Sequence, residues 1–112
     1  MISFEFSFQL PEWVGELLGT HDRPYPTLDE RMRLAIRLAS ENVSRHTGGP
    51  FGAAVFDLQR GTLIAPGVNI VVRANSSVLH AEIVALALAQ QMLGHYDLSA
   101  TGRECELVTS TE

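Results

Sequence analysis

His80 and Glu82 are the residues whose types and spacing best suit catalysis in this sequence of 112 residues. They stand two positions apart near the start of an apolar segment that is predicted to form a helix. Histidine can bind a metal ion such as zinc, and glutamate can carry a proton to or from an activated water. The positive end of the helix dipole would favour an anionic species there. A histidine and a glutamate in this spacing are common by chance, so the surrounding elements must supply what the pair lacks.

The predicted site helix begins with polar residues and continues as an apolar segment. Ser76 and Ser77 precede it and are expected to cap the free N–H groups of its first turn. Residues 83–89 are apolar on every side of the helix, which predicts that this part is buried. Side chains two positions apart diverge along a helix, but at its first turn both can lean over the open end. The chemistry is therefore expected off the N-terminal tip, at the carboxyl edge of a sheet.

A long helix is predicted upstream of this site. Thr27 and Glu30 form a capping box at its start, and the helix is expected to extend to about Arg45. Its apolar stripe is predicted to consist of Met32, Ala35, Ile36, Ala39 and Val43. Charged residues on the other side are spaced as i,i+4 pairs, which indicates a solvated face rather than a binding patch.

Three core strands are predicted around the site helix. Residues 52–56 and 62–72 predict an antiparallel hairpin, with a bend or bulge at Pro66-Gly67 in its second strand. Residues 104–110 predict a third strand, which is expected to pair parallel to the second because a crossover helix joins them. Residues 27–112 are therefore expected to form an α/β domain, or its N-terminal part: a helix, an antiparallel hairpin, a helix and a parallel third strand.

The first 26 residues are predicted to form an N-terminal arm outside this domain. Apolar and polar residues alternate from Ile2 to Leu10, which indicates a half-buried strand that ends at Pro11. Residues 12–18 predict a short helix. The arm has two interpretations: it covers a site or a partner subunit, or it adds packing to a single domain.

Composition limits the classes of function. A net charge of −5 and the absence of any lysine or arginine cluster give no electrostatic footprint for nucleic acid, although a small nucleotide or base could still bind. The single cysteine, Cys105, excludes a disulfide within the chain and favours a reducing, cytoplasmic compartment. Neither a signal peptide nor an apolar run of membrane-spanning length is recognised, so no membrane partner is expected.

Four segments of the chain come in the order and spacing of the cytidine deaminase-like zinc deaminases, and the sequence resembles that superfamily over about residues 28–112. The segments are Gly48-Gly49-Pro50-Phe51-Gly52-Ala53, Gly67-Val68-Asn69, His80-Ala81-Glu82 and Leu107-Val108-Thr109-Ser110-Thr111-Glu112. The chain most resembles bacterial guanine deaminases and related nucleoside deaminases, because tRNA adenosine deaminases usually lack the phenylalanine of the first segment. The resemblance implies an α/β/α sandwich, of which this chain holds the N-terminal part.

The resemblance also implies roles for five residues in the hydrolytic deamination of a guanine-like purine base. His80 would bind zinc, and Glu82 would move a proton from the attacking water to a ring nitrogen and protonate the departing ammonia. Asn69 would hydrogen-bond the substrate, Phe51 would contact the base, and Ala81 would belong to the substrate-binding wall. From the residues alone, Asn69 could instead be a strand-end turn residue and Phe51 plain core. The implied partner is a small base or nucleoside, and the complete domain is expected to be a homodimer.

The family's other two zinc ligands are cysteines in a P-C-x-x-C motif, which would begin at residue 113. Cys105 is expected at the far edge from the site, as a small buried hydrophobe. No ligand spacing to His80 is found for the remaining histidines, His21, His46 and His95. We therefore expect the N-terminal part of a deaminase that alone binds zinc poorly and turns nothing over. Two alternatives stay open: a catalytically silent interaction module, and a tRNA adenosine or cytosine/cytidine deaminase.

Overall fold

A computed structural model describes residues 2–19 and 23–110 of the chain. The elements are the helices α1 (Glu12–Leu18), α2 (Leu28–Ser44) and α3 (Ala81–Leu93), a 3₁₀ helix (Leu98–Thr101), and the strands β1 (Gly52–Asp57), β2 (Thr62–Val68) and β3 (Cys105–Thr109). The order of helix, hairpin, helix and strand confirms the predicted α/β class. Among the described helices, none is long and apolar enough to cross a membrane.

The sheet has the strand order β2-β1-β3, with β1 in the centre and antiparallel to both neighbours. The prediction that the third strand pairs parallel to the second was therefore wrong, because β1 lies between them. β2 and β3 do run in the same direction, but a crossover helix determines direction and not adjacency. All six residues of β1 are buried, so its backbone N–H and C=O groups need a paired strand on each side.

β2 runs without interruption over Thr62–Val68 and ends earlier than predicted. Pro66-Gly67 lies inside the strand and pairs with β1, so the bend or bulge predicted there was wrong. The register shifts instead opposite Val55 and Phe56. A proline is tolerated within β2 because the strand lies at the edge of the described sheet. Residues 71–75 form turns rather than an extension of the strand.

The two long helices pack on opposite faces of the sheet and form an α/β/α sandwich. Ala54 and Phe56 of β1 belong to a core cluster with α2, and Ala53 and Val55 belong to a second cluster with α3. Gly52 allows α2 to approach the sheet closely, since a Cβ at this position would lie 2.8 Å from a backbone nitrogen of that helix. The sheet therefore holds the ends of α2 and α3 in fixed relation to the strand ends.

The start of α2 is capped as predicted. The Glu30 N–H donates to Thr27 Oγ1 at 3.1 Å, and the Thr27 hydroxyl donates to the Glu30 carboxylate at 3.0 Å. The predicted apolar stripe was partly wrong, because Ile36 and Val43 are 54% and 45% exposed. The buried face consists of Arg31, Leu34, Ala35, Leu38, Ala39 and Asn42. It includes two polar residues whose partners lie on other elements, so hydrophobicity alone could not locate it.

The helix α3 begins at Ala81, with His80 as its N-cap and no capping side chain. Ser76 and Ser77 were wrongly predicted as caps, since both lie farther upstream, in the loop that leads to the helix. The predicted burial of the apolar segment on every side was also wrong, because Ile83 is 43% exposed. The sheet covers one side of α3, and the described part of the chain leaves the other side open.

The predicted strand over residues 2–10 is not formed, whereas the predicted helix over 12–18 is α1. Ile2, Phe4 and Phe6 are 79%, 94% and 66% exposed. Alternating apolar residues form a strand only where a neighbouring strand completes the ladder, and the described residues offer this segment none.

Residues upstream of α2 contribute to the main hydrophobic core. Trp13, Val14 and Tyr25 are buried and belong to the cluster that also contains Phe56. The Tyr25 and Phe56 rings meet edge to face, with centroids 5.3 Å apart. These contacts are what added packing on one domain would produce. The division into an arm (1–26) and a domain (27–112) stays a prediction.

Candidate functional site

His80 and Glu82 lie at the N-terminal tip of α3. His80 is the N-cap, with an extended backbone (φ −70°, ψ 158°), and its carbonyl accepts the Val84 N–H at 2.9 Å. His80 is exposed, and Glu82 is half-buried in the first turn. The helix end leaves backbone N–H groups unpaired beside these two residues. This tip therefore offers an imidazole, a carboxylate and the positive end of a helix dipole to a ligand.

One backbone hydrogen bond holds the chain after β2 beside this tip. The Ile70 N–H donates to the Leu79 carbonyl at 3.1 Å, and both residues are buried. Asn69 directly precedes Ile70, and His80 directly follows Leu79. The bond therefore brings the predicted substrate-binding residue Asn69 and the predicted ligand His80 to the same edge of the sheet.

Asn69 is half-buried and is held by contacts to two other segments. Its N–H donates to the Phe51 carbonyl at 3.3 Å, and its own carbonyl accepts from Asn42 Nδ2 at 3.0 Å. Its Oδ1 accepts the Val71 N–H at 3.2 Å, so the side chain does serve the turn at the strand end. Within the described residues this leaves the two amide N–H donors of Asn69 for an acceptor such as a ring nitrogen or carbonyl of a base.

Phe51 stands next to Asn69 and is not a core residue, since it is 38% exposed. The position of Gly49 shows how close the two side chains are. A Cβ at Gly49 would lie 3.4 Å from the Phe51 ring and 4.0 Å from Asn69 Cγ. The glycine thus keeps open the space between an aromatic face and an amide, which are the groups that recognise a planar polar ring.

Ala81 lies between the two ionisable residues but is only 2% exposed. Its methyl group belongs to the core cluster on the α3 side of the sheet. A ligand could therefore meet only its backbone N–H, which the first helical turn leaves unpaired.

Asn42 contacts the wall of the candidate site, and it was not predicted from the sequence. It is fully buried on α2, and its Nδ2 donates to the Gly49 carbonyl at 2.9 Å and to the Asn69 carbonyl. The signal in the sequence is a polar residue that continues the buried spacing of Leu38 and Ala39. Such a residue predicts a buried hydrogen-bond partner, but it does not say which segment supplies that partner.

Cys105 and His95 lie away from the tip of α3. Cys105 pairs with Asp57 at the far end of β1, as predicted, but it is half-buried rather than buried. Its partial burial and the nearby Asp57 raise the pKa of its thiol. His46 follows α2 with a left-handed φ of 59°. The His95 Nδ1 accepts the Asp97 N–H at 2.8 Å beyond the other end of α3. His21 lies outside the described residues.

The described residues do not form a complete zinc site. No group of three His, Cys, Asp or Glu side chains within residues 2–19 and 23–110 could hold a metal ion. A catalytic zinc commonly takes three protein ligands and keeps one open position. His80 fits one of these ligand positions by its donor atom, its exposure and its place at a helix end. A zinc site at this tip would need its remaining ligands from outside the described residues.

The family model for the cytidine and deoxycytidylate deaminase zinc-binding region matches residues 26–112. The guanine deaminase of Bacillus subtilis (strain 168) is 40% identical over 81 residues, which are 72% of this chain and 48% of that protein. The chain therefore spans about half the length of this curated relative.

Solved structures extend the likeness to the fold. The guanine deaminase from Nitrosomonas europaea superposes with a TM-score of 0.87 and 40% identity, covering 100% of this chain and 61% of that one. The protein NE0047 in complex with 2,6-diaminopurine gives a TM-score of 0.84 and 42% identity, covering 95% of this chain and 56% of that one. These likenesses confirm the resemblance and the fold that the sequence predicted.

Proposed function

This chain belongs to the cytidine and deoxycytidylate deaminase zinc-binding family, and we propose that the protein containing it hydrolyses the amino group of a guanine-like purine base. The observation that carries the proposal is the Ile70–Leu79 hydrogen bond, which supports a shared site because Asn69 precedes Ile70 and His80 follows Leu79. A base-binding wall and a proton carrier then share one edge of the sheet. Relatives called guanine deaminase, and a relative that binds 2,6-diaminopurine, support a purine as the substrate.

Glu82 is the proton carrier in this proposal. Zinc, when bound with His80 as one ligand, supplies an acidified water. Glu82 takes a proton from the attacking water and delivers it to a ring nitrogen of the base. It then takes the proton of the hydroxyl now bonded to carbon and delivers it to the departing amino group, so that one C–O bond forms, one C–N bond breaks, and ammonia leaves. For guanine, the carbon attacked is C2 and the product is xanthine.

Recognition of the base falls to three groups on neighbouring segments. The Asn69 amide donates to a ring nitrogen or carbonyl, and the exposed Phe51 ring covers one face of the base. The Ala81 backbone N–H is a further donor at the helix tip. Together these groups hold the amino-bearing carbon over the tip of α3, within reach of Glu82.

The described residues bring no three metal-binding side chains together, and we propose that the catalytic unit takes further zinc ligands from outside them. We accordingly expect residues 1–112 alone to bind zinc weakly and to release no ammonia from guanine. We further propose that the protein works in the cytoplasm as a homodimer, in line with its single cysteine and with the family resemblance.

The test uses protein expressed from the whole reading frame that contains these residues, beside a protein limited to residues 1–112. We expect stoichiometric zinc and conversion of guanine to xanthine in the first protein, and neither in the second. Glu82→Gln should keep its zinc and lose about 10²- to 10⁴-fold in kcat, whereas His80→Ala should lose both zinc and activity. If the zinc-loaded protein does not convert guanine but deaminates cytidine or tRNA adenosine, the proposal of a purine base as the substrate is wrong. Protein that deaminates nothing would favour an interaction module.

A further inference from the structure

A partly buried chain of hydrogen bonds runs from α1 to the wall of the candidate site. The Trp13 indole N–H donates to Thr47 Oγ1 at 3.0 Å, and the Thr47 hydroxyl donates to Asn42 Oδ1 at 2.7 Å. Asn42 Nδ2 in turn donates to the carbonyls of Gly49 and Asn69. We call these three side chains the Asn42 relay: Trp13, Thr47 and Asn42.

We propose that the Asn42 relay sets the spacing between the Phe51 ring and the Asn69 amide, and that Trp13 and Thr47 are positioning residues for base recognition. The inference rests on the proposed function, because it takes the space between Phe51 and Asn69 as the place where the base binds. It assigns a role to α1, which lies outside the residues matched by the family model.

Asn42 Nδ2 links the two sides of the wall, in addition to the direct hydrogen bond from the Asn69 N–H to the Phe51 carbonyl. Asn42 Nδ2 uses one N–H on the Gly49 carbonyl at 2.9 Å and the other on the Asn69 carbonyl at 3.0 Å. These carbonyls belong to the two segments that carry the Phe51 ring and the Asn69 amide. Asn42 is 0% exposed, so a shift of either segment would leave a buried donor unpaired. A Cβ at Gly48 would lie 2.6 Å from Nδ2, so this glycine gives the amide access to both carbonyls.

The outer part of the relay adds to the orientation of the Asn42 amide that the two carbonyls impose through Nδ2. An indole N–H can only donate, so Thr47 Oγ1 must accept from Trp13 and use its own proton elsewhere. That proton goes to an acceptor of Asn42, either Oδ1 at 2.7 Å or the longer contact with the backbone carbonyl at 3.3 Å. With Oδ1 directed to Thr47, Nδ2 faces the two carbonyls. Loss of the Thr47 hydroxyl would leave Asn42 Oδ1 without this donor and weaken the orientation of the amide, without removing any contact to a ligand.

Thr47 allows a matched pair of variants in the protein from the whole reading frame. Thr47→Val removes the hydroxyl at nearly constant volume, and Thr47→Ser keeps it. We expect Thr47→Val to raise the KM for guanine about three- to tenfold, with kcat nearly unchanged, and Thr47→Ser to restore the wild-type KM. Trp13→Phe should raise the KM for guanine as much as Thr47→Val does. The double variant should raise it little further, because both changes break the same relay. Val14→Ala is the control, because it weakens the core cluster that Val14 shares with Trp13 but removes no hydrogen bond of the relay.

A second readout needs no turnover. Amide hydrogen exchange at Gly48 and Asn69, measured without ligand, should be faster in Thr47→Val and unchanged in Thr47→Ser. Equal exchange or equal KM in the two Thr47 variants would overturn the inference, as would a KM increase in Val14→Ala as large as that in Thr47→Val. If the wild-type protein does not convert guanine, the proposed function fails. The comparison of amide hydrogen exchange in the two Thr47 variants then tests by itself whether the Asn42 relay positions the wall.

Discussion

Gly67 on β2 lies directly against the carbonyl oxygen of Ala81 in the first turn of α3. A Cβ on Gly67 would also come within 2.6 Å of the Ala85 nitrogen and 2.9 Å of its Cβ. The atoms that would clash are mostly backbone atoms, which cannot move away as the end of a flexible side chain can. The tip of α3, with His80 and Glu82 beside it, is therefore positioned by a strand that has no side chain at the point of contact.

Gly67→Ala should destabilise the protein and displace the tip of α3. Overpacking of this kind costs about 1–3 kcal/mol of unfolding free energy, which urea denaturation would measure. Gly15→Ala is the matched control, because nothing lies within 4 Å of a Cβ at that helical position. It should be neutral or stabilising by up to about 1 kcal/mol. A similar loss of unfolding free energy in Gly67→Ala and Gly15→Ala would show that close packing of α3 against Gly67 is not the cause.

Phe51→Ala should weaken base binding and have little effect on folding. Phe51 is 38% exposed, whereas Phe56 on β1 is 0% exposed. Phe56→Ala should therefore lower the free energy of unfolding by about 3–5 kcal/mol, and Phe51→Ala should lower it clearly less. Calorimetric titration of guanine into the whole protein would measure the loss of affinity. If Phe51→Ala lowers the free energy of unfolding as much as Phe56→Ala does, Phe51 is a core residue. The exposure of its ring argues against that interpretation.

Stability should fall at acid pH through Asp57, which is 2% exposed. Burial by itself raises the pKa of this carboxyl, but the N–H groups of Arg60 and Gln59 and the Arg103 guanidinium outweigh it and lower the pKa below its ordinary value of 3.8. A folded-state pKa below the unfolded one gives stability that is present above the unfolded value and is lost as pH falls through the folded value. Unfolding free energies between pH 7 and pH 3 would therefore decline less in Asp57→Asn than in the wild type. Parallel profiles would contradict this assignment.

Local signals in the sequence were sufficient for the features that depend on a few neighbouring residues. The Thr27–Glu30 cap is one example, and the position of His80 and Glu82 at a helix start is another. Features that depend on distant segments were missed. The alternating pattern of residues 2–10 resembles a strand, but a strand needs a partner that the pattern cannot reveal. The neighbour of β3 likewise depends on the burial of β1 on both faces.

The same division applies to the candidate site. Asn69 and Phe51 were predicted as site residues because their segments resemble known motifs, although the sequence did not show that one carbonyl–amide contact joins them. Asn42 was missed because its partners lie 7 and 27 positions away in the chain. A buried polar residue on a helix can be predicted from spacing, but the segment that it fastens is known only from the fold.

The ion pair between Arg31 and Glu106 offers a test of how β3 is held against α2. Arg31 Nε donates to Glu106 Oε1 at 2.6 Å, and Arg31 Nη1 donates to the Tyr25 carbonyl at 3.0 Å. The Arg31 side chain is 10% exposed and that of Glu106 is 27% exposed. Glu106→Ala would leave a nearly buried guanidinium without its counter-charge. We expect it to cost up to about 3 kcal/mol, toward the low end for buried pairs because Glu106 is partly solvated.

Arg31→Met with Glu106→Leu removes both charges at similar volume and should recover much of that loss, since an apolar pair needs no desolvation of charge. A double-mutant cycle of chemical denaturation, completed by the single variants Arg31→Met and Glu106→Leu, measures the coupling. The Arg33–Asp29 pair is the control, because its side chains are 76% and 73% exposed, and its coupling should stay below about 1 kcal/mol. Additive costs at Arg31 and Glu106 would show that the two charges act independently, and that apolar packing alone holds β3 against α2.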